Sequence, residues 1–532
     1  MGSIQVNHLS WTRPGGRQLL DDVSFRVGDR EHAALVGANG VGKTTLLRLI
    51  AGDERAPAGT VNVDGRLGIM RQLVGTARQP ATVRQALTDA APVALRAAGV
   101  TLLAAERAMV EHPEDPHTAI AYASALHEWG ELGGYDLELF WDACCRTAVG
   151  RGYDELADRP LPTFSGGEQK KLVLQALLNG DHDVLLLDEP DNFLDIPGKR
   201  WLEGQLRACP KTILFVSHDR ELLAACATRI VTVEPTGAWT HGAGFASYHA
   251  AREAHLAKRT RDLALWTEER ERLEDLVKLM RIRARISEAF APKLKAAESR
   301  LRQFLAANPE PEVAQEQKVT VKLGGQRTGR KAVTMERLEL HGLTDPFDTE
   351  IWFGDRVAVL GPNGTGKSHL LRLLAGDPRV GHDGELRLGA GVVVGHFNQT
   401  HEHPEFTGRS LLELLEQRDL VRGPAMAILR RYELTGCADQ TFETLSGGQQ
   451  ARFQVILLEL AGATLLLLDE PTDNLDLVSA EALETGLAEF QGTVVAVTHD
   501  RWFLRGFDRF LVLDDDGRVH DLLDPPPLYR SN

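Results

Sequence analysis

Four short motifs occur twice, in the same order, along this chain of 532 residues. GANGVGKT at 37–44 returns as GPNGTGKS at 361–368, an offset of 324. FSGGEQKK at 164–171 returns as LSGGQQAR at 445–452, VLLLDEP ending at Pro190 as LLLLDEP ending at Pro471, and FVSHDR ending at Arg220 as AVTHDR ending at Arg501, all with an offset of 281. Whole motifs repeated in register mean a duplicated domain. A chain of this length also exceeds what one hydrophobic core usually serves. The change of offset marks an insertion. From Gln72 to Ser165 the first copy runs 93 residues, whereas Gln399 to Ser446 spans 47, a surplus of 46. The surplus falls near 90–140, where two helical stretches flank the turn-like HPEDPH. A helical arm inserted in the first copy is expected there.

REHAALVG and DRVAVLG precede the two glycine-rich loops as short apolar strands, and strands alternate with helices through each copy, which predicts parallel α/β cores. Between the copies, from Phe245 to Arg330, glycine is absent until Gly324. Leu263, Trp266, Leu273, Val277 and Met280 follow steps of three and four with Arg270 as the one break, which predicts a long helix with one apolar stripe. Pro292 should end or interrupt it before a second helix over Lys293–Ala306. The expected plan is therefore a first domain over 1–244, a helical hairpin over 245–333 and a second domain over 334–532.

The formal charge of the whole chain is −15. Across 251–331, however, 19 Lys and Arg stand against 12 Asp and Glu, leaving about −22 for the rest. Lys278, Arg281, Arg283, Arg285, Lys293, Lys295, Arg300 and Arg302 gather at the expected hairpin tip with only two acids among them. Such a cluster suits nucleic-acid phosphates, although charge alone equally describes a solvated helix face. Cysteines 144, 145, 209, 226 and 437 form no CxxC pair, which removes zinc and iron–sulfur sites and a disulfide framework from consideration. The N-terminus has no signal-peptide pattern and no apolar run should span a bilayer, so a cytoplasmic location is expected.

The glycine-rich loops carry a definite chemistry. In the first, Gly37, Asn39, Gly40 and Gly42 let backbone N–H groups surround phosphates, Lys43 neutralises them, and Thr44, followed by Thr45, ligates magnesium. Gly361, Asn363, Gly364, Gly366, Lys367 and Ser368 repeat the arrangement. Asp188 and Asp469 end apolar strands beside the magnesium position, Glu189 and Glu470 follow as groups able to polarise a water, and His218 and His499 stand 29 residues beyond them. Trp11 is a candidate either for stacking on a base or for packing in a core.

The order of phosphate loop, Gln, SGG, DEP and His, given twice, resembles that of ABC-type ATPases. The resemblance implies that each SGG motif starts a helix capping the phosphates held by the other cassette. One composite site would then join Lys43, Gln72, Asp188, Glu189 and His218 to Ser446, Gly447 and Gly448. The other would join Lys367, Gln399, Asp469, Glu470 and His499 to Ser165, Gly166 and Gly167. Two cassettes without a membrane domain, a helical arm and a charged hairpin are similar to the ABC-F group of translation factors and ribosome-protection proteins. That group's implied ligands are ATP and Mg2+. Its implied partner is the ribosome, contacted near the tRNA exit site on ribosomal RNA and tRNA through the linker, by a monomer whose cassettes pair internally. Antibiotic protection is favoured over a housekeeping role, and the competing reading is the ATPase subunit of a drug exporter with a separate membrane protein. The chain departs from the group's DEPTNHLD at DEPDNFLD (Asp191, Phe193) and DEPTDNLD (Asp473, Asn474). With Asp195 and Asp476 retained, both sites are expected to hydrolyse ATP, at unequal rates.

Overall fold

The computed structural model describes residues 2–13, 16, 18–71, 81–311, 319, 321–324, 329–398 and 404–530. Each copy builds the same six-stranded sheet. In the first the order is Leu67–Met70, Val184–Asp188, Thr212–Val216, His32–Val36, Arg229–Glu234, Gly237–His241, and in the second Val394–Phe397, Leu465–Asp469, Thr493–Val497, Arg356–Leu360, Arg509–Leu513, Val519–Leu522. All neighbours are parallel except the final pair. The central strands VLLLD and LLLLD are buried at every residue, as strands covered on both faces must be.

Each copy adds a three-stranded antiparallel sheet that the parallel reading did not anticipate, ordered Gln18–Val27, Ser3–Thr12, Ala58–Asp64 and Phe347–Trp352, Lys331–Leu340, His382–Leu388. Its apolar face closes over the phosphate-loop helix: Ile4, Val6 and Leu9 share a core with Leu46, Leu49 and Ile50. Trp11 pairs with Leu20 and packs against this core.

The arm comprises helices Val93–Glu111 and Pro116–Glu131, and a third helix, Gly134–Val149, returns the chain to the cassette. Trp129 and Trp141 lock its base, 6.0 Å apart.

The linker is a helical hairpin of Tyr248–Ile286 and Ala291–Ala307. At 1.5 Å per residue the 39-residue first helix is about 58 Å long. Trp266, Leu273 and Val277 are buried along the expected seam, and the Arg270 guanidinium covers the Trp266 ring at 5.1 Å. Pro292 does not end the first helix. That helix stops at Ile286, and Pro292 sits in the first turn of the second, where its missing N–H costs nothing.

The cassettes face one another through an exchange of side chains. Ile196, just after Asp195, is buried in an apolar cluster with Leu360, Leu504 and Phe510 of the second cassette, while its counterpart Leu477, just after Asp476, joins the core of the first. Two ion pairs repeat the same relation, Arg501 with Glu203 fully buried and Arg220 with the partly exposed Glu484. No described helix is long and apolar enough to cross a membrane.

Candidate functional site

Two of the cavities between the cassettes hold the phosphate loops. The first, of about 270 Å³, is lined by Asn39, Gly40, Gly42, Lys43, Thr44, Thr45, Glu189 and His218 of the first cassette and by Ser446, Gly447 and Gly448 of the second. The second, of about 340 Å³, joins Asn363, Gly364, Gly366, Lys367, Ser368, Glu470 and His499 to Gly166 and Gly167. Gln72 and Gln399 lie outside the described residues.

The phosphate loops are held by the helices they open. Gly42 (φ 109°) and Gly366 (φ 96°) take the left-handed conformation immediately before Lys43–Ala51 and Lys367–Leu374, a conformation that other residues adopt only with strain. Gly37 and Gly361 begin the two loops and accept hydrogen bonds from the lysines: Lys43 Nζ donates to the carbonyls of Gly37 (2.8 Å) and Ala38 (3.1 Å), and Lys367 Nζ to those of Gly361 (2.9 Å) and Pro362 (2.6 Å). Burial lowers the affinity of both ammonium groups for their protons, against nearby carboxylates that restore it.

The signature helices start at reciprocal caps. Ser165 Oγ accepts from Glu168 N–H while Glu168 accepts from Ser165 N–H, and Ser446 and Gln449 do the same. The free N–H groups of each first turn thereby face the opposite cassette's phosphate loop. Ser446 belongs to the wall of the first cavity, whereas in the second the wall is formed by Gly166 and Gly167, with Ser165 as the cap behind them.

Thr44 and Asp188 form one pair of hard oxygen donors and Ser368 and Asp469 the other, with Ser368 Oγ 3.1 Å from Asp469 Oδ1. Asp188 Oδ1 is buried with no hydrogen-bond partner among the described residues, and burial raises the pKa of this carboxyl against the Thr44 hydroxyl that steadies its anion. No group of three or more His, Cys, Asp or Glu able to hold a metal occurs among the described residues. A hydroxyl with one carboxylate, leaving the remaining positions to phosphates and water, is the set that fits Mg2+.

Glu189 (φ 49°) and Glu470 (φ 48°) both occupy left-handed backbone, strain of the kind kept at functional positions. Glu189 Oε2 accepts from Asn192 at 2.7 Å, and Glu470 Oε2 accepts the His499 N–H at 3.0 Å. Burial, with Asp473 and Asp469 nearby, raises the Glu470 carboxyl well above the ordinary carboxylate range. His218 has both ring nitrogens buried without partners among the described residues and is pushed down to about 3 by burial and the Lys43 charge. His499 Nε2 lies 3.2 Å from Asn363 Oδ1, and burial likewise lowers its pKa. Burial therefore favours the neutral imidazole in both.

The two sites close differently. In the first, Asn39 N–H donates to Asp476 Oδ2 at 3.1 Å and Asn39 Nδ2 to the Asn474 carbonyl at 2.8 Å. A β-carbon at Gly448 would collide with the Asn39 amide, so only glycine allows this approach. In the second, Asn363 turns to His499 instead, and the exposed Phe193 (φ 66°) faces the cavity. Phe193 and Asn474, each packed on a signature glycine, are two of the four positions where the chain departs from DEPTNHLD. Their role in the walls, and that of Lys199 and Arg13, was not read from the sequence.

Two cavities, each completed by the opposite half of one chain, define a tandem-cassette ATPase of the ABC type. A family model described as ABC transporter matches residues 20–192 and 344–473. An antibiotic resistance protein of Mycobacteroides abscessus is 51% identical over 99% of this chain and 100% of its own length. The tylosin resistance ATP-binding protein TlrC of Streptomyces fradiae is 32% identical, over 91% of this chain and 92% of its own. The chain belongs to the ABC-F family of tandem-cassette ABC proteins. Its fold is also that of the archaeal ribosome recycling factor aABCE1, solved in complex with the archaeal ribosomal stalk protein aP1 (TM-score 0.58, 17% identity, 96% of this chain and 89% of that one).

Proposed function

We propose that this protein is a magnesium-dependent ATP hydrolase that binds the ribosome and protects it from antibiotics acting on the large subunit. The observation that carries the ATP half of this reading is the pairing of each phosphate loop with the opposite signature helix, because nucleotide phosphates there join the halves. Lys43 and Lys367 leave their carbonyl partners for the β- and γ-phosphates, and the first-turn N–H groups after Ser165 and Ser446 hold the γ-phosphate from the far side. Thr44 with Asp188, and Ser368 with Asp469, hold Mg2+, which when bound neutralises phosphate charge. Glu189 and Glu470 polarise the attacking water, and His218 and His499, both neutral, orient it. Loss of the γ-phosphate removes the shared anion and lets the halves part.

The hairpin supports the ribosome half. Lys278 pairs with Asp275 and Arg281 with Glu298, but Arg283, Arg285, Lys293, Lys295, Arg300 and Arg302 are exposed around its end. Arg283 and Lys293 flank the half-buried Phe290 ring at 5.9 and 5.2 Å, so the tip is a compact cationic knob suited to RNA phosphates. An exporter engine has no use for such an element. The antibiotic part rests on the relatives named for resistance. Expression in a sensitive bacterium, with susceptibility measured across macrolides, lincosamides, streptogramins and pleuromutilins, tests it: tolerance of at least one class is expected, and tolerance of none replaces protection by a housekeeping role in translation.

A further inference from the structure

Lys199 lies in helix Ile196–Ala208, one turn after its Asp195 cap, and is almost fully buried. Its ammonium stands 3.0 Å from Asp219 Oδ2 of its own cassette and donates to the His499 carbonyl of the other at 3.2 Å. Asp219 directly follows His218 and caps the next helix through the N–H groups of Glu221 (2.9 Å) and Leu222 (3.0 Å). His499 in turn donates its N–H to Glu470. One cation therefore touches the histidine loop of both cavities.

Nothing repeats this on the other side. The motif offset of 281 puts Ala480 at the corresponding place in the second cassette. An ammonium held out of water is costly unless opposite charges surround it. Asp219 pairs with Lys199, and the charges of Asp191, Asp473 and Asp500 also act on its ammonium. Two of them, Asp191 and Asp473, are the carboxylates by which this chain departs from DEPTNHLD. Those departures thus have a physical role: they supply the negative field that lets a buried lysine sit between the sites.

We propose that Lys199 is a positioning residue that couples the two ATP sites. A shift of the His499 loop on γ-phosphate loss at the second site moves the carbonyl to which Lys199 is bonded, and the Asp219 pair passes the shift to the His218 loop of the first. Coupling of this kind needs a contact that both sites bias, and this lysine makes one. The inference rests on ATP turnover at the two composite sites.

The test is the ATP dependence of steady-state hydrolysis by the full chain. Two coupled sites give a Hill coefficient approaching about 2. Lys199→Met should lower it towards about 1, with the remainder left by closure of the cassettes, whereas Lys199→Arg, which keeps the cation, should preserve the wild-type value. Because Lys199→Met leaves carboxylates unpaired and endangers folding, Asp219→Asn provides an independent arm: asparagine still caps the helix but removes the charge. It should lower the coefficient as Lys199→Met does. A merely structural lysine would change melting temperature and leave the coefficient alone. Wild-type steepness in folded Lys199→Met or Asp219→Asn overturns the coupling role while the ATPase reading stands, and absence of turnover in the wild type overturns both.

Discussion

Asn39 of the first phosphate loop donates its backbone N–H to Asp476 Oδ2 of the second cassette at 3.1 Å, and the matching residue Asn363 turns to His499. Asp476 has a second task, accepting the Ser479 N–H at 2.9 Å as a helix cap, which asparagine can also perform. Asp476→Asn should therefore weaken closure without unfolding the helix. A hydrogen bond to a charged group is worth about 1.5–3 kcal/mol, so ATP turnover should fall about tenfold or more. Asp195→Asn should cost less. Parallel ATPase assays of the two variants check the order.

Lys43→Ala or Lys367→Ala should each remove nucleotide binding at one cavity and lower total turnover by more than half, since closure uses both. Binding of a fluorescent ATP analogue and steady-state hydrolysis, measured together, check this. Full activity after either change contradicts paired sites.

The repeated motifs carried most of this site, because phosphate chemistry needs particular residues at particular spacings. Lys43, Glu189 and His218 could be found that way, and so could their union with Ser446 once the family resemblance was recognised. The antiparallel sheets were less legible, since the bulged strands Ser3–Thr12 and Lys331–Leu340 break simple alternation. Lys199 was invisible: a lone lysine after a cap reads as a solvated helix residue until the fold brings His499 to it. Pro292 differs from expectation because a helix-breaking residue and a first-turn residue look the same in sequence.

Glu203 and Arg501 form an ion pair with relative side-chain exposures of 1% and 0%. Removing one partner of such a pair weakens the charge balance of a buried guanidinium, which Asp219 and Glu221 then offset only in part, so Glu203→Gln should cost about 3 kcal/mol of unfolding free energy. Its counterpart Glu484 is 26% exposed, and Glu484→Gln should cost less, about 1 kcal/mol after solvent screening. Urea unfolding of both variants decides the ranking.

His218 gives stability a pH dependence. Its pKa is pushed down to about 3 in the folded state from an ordinary 6.5, so below that value the unfolded chain binds a proton that the folded chain refuses. Its contribution is intact above about 6.5 and is lost progressively as pH falls towards 3. Between pH 6.5 and 5 the loss should be on the order of 1–2 kcal/mol. His218→Gln should make the stability profile shallower in that window without abolishing its slope, because burial also lowers His499 and pushes His182 down to about 4, as thermal melts at half-unit pH steps will record.

On the proposed function, ATP closes the cassettes into a form that binds the ribosome through the hairpin. Sedimentation of the Glu189→Gln, Glu470→Gln double variant with ribosomes through sucrose tests it most directly, because that variant should bind ATP and stay closed. The account predicts cosedimentation with ATP and little without it. It also predicts loss of binding, and a shallower salt dependence, when Arg283, Arg285, Lys293 and Lys295 are neutralised, by roughly 0.7–0.9 in logarithmic slope per phosphate contact removed. Cosedimentation that ignores ATP, or none under any condition, contradicts it.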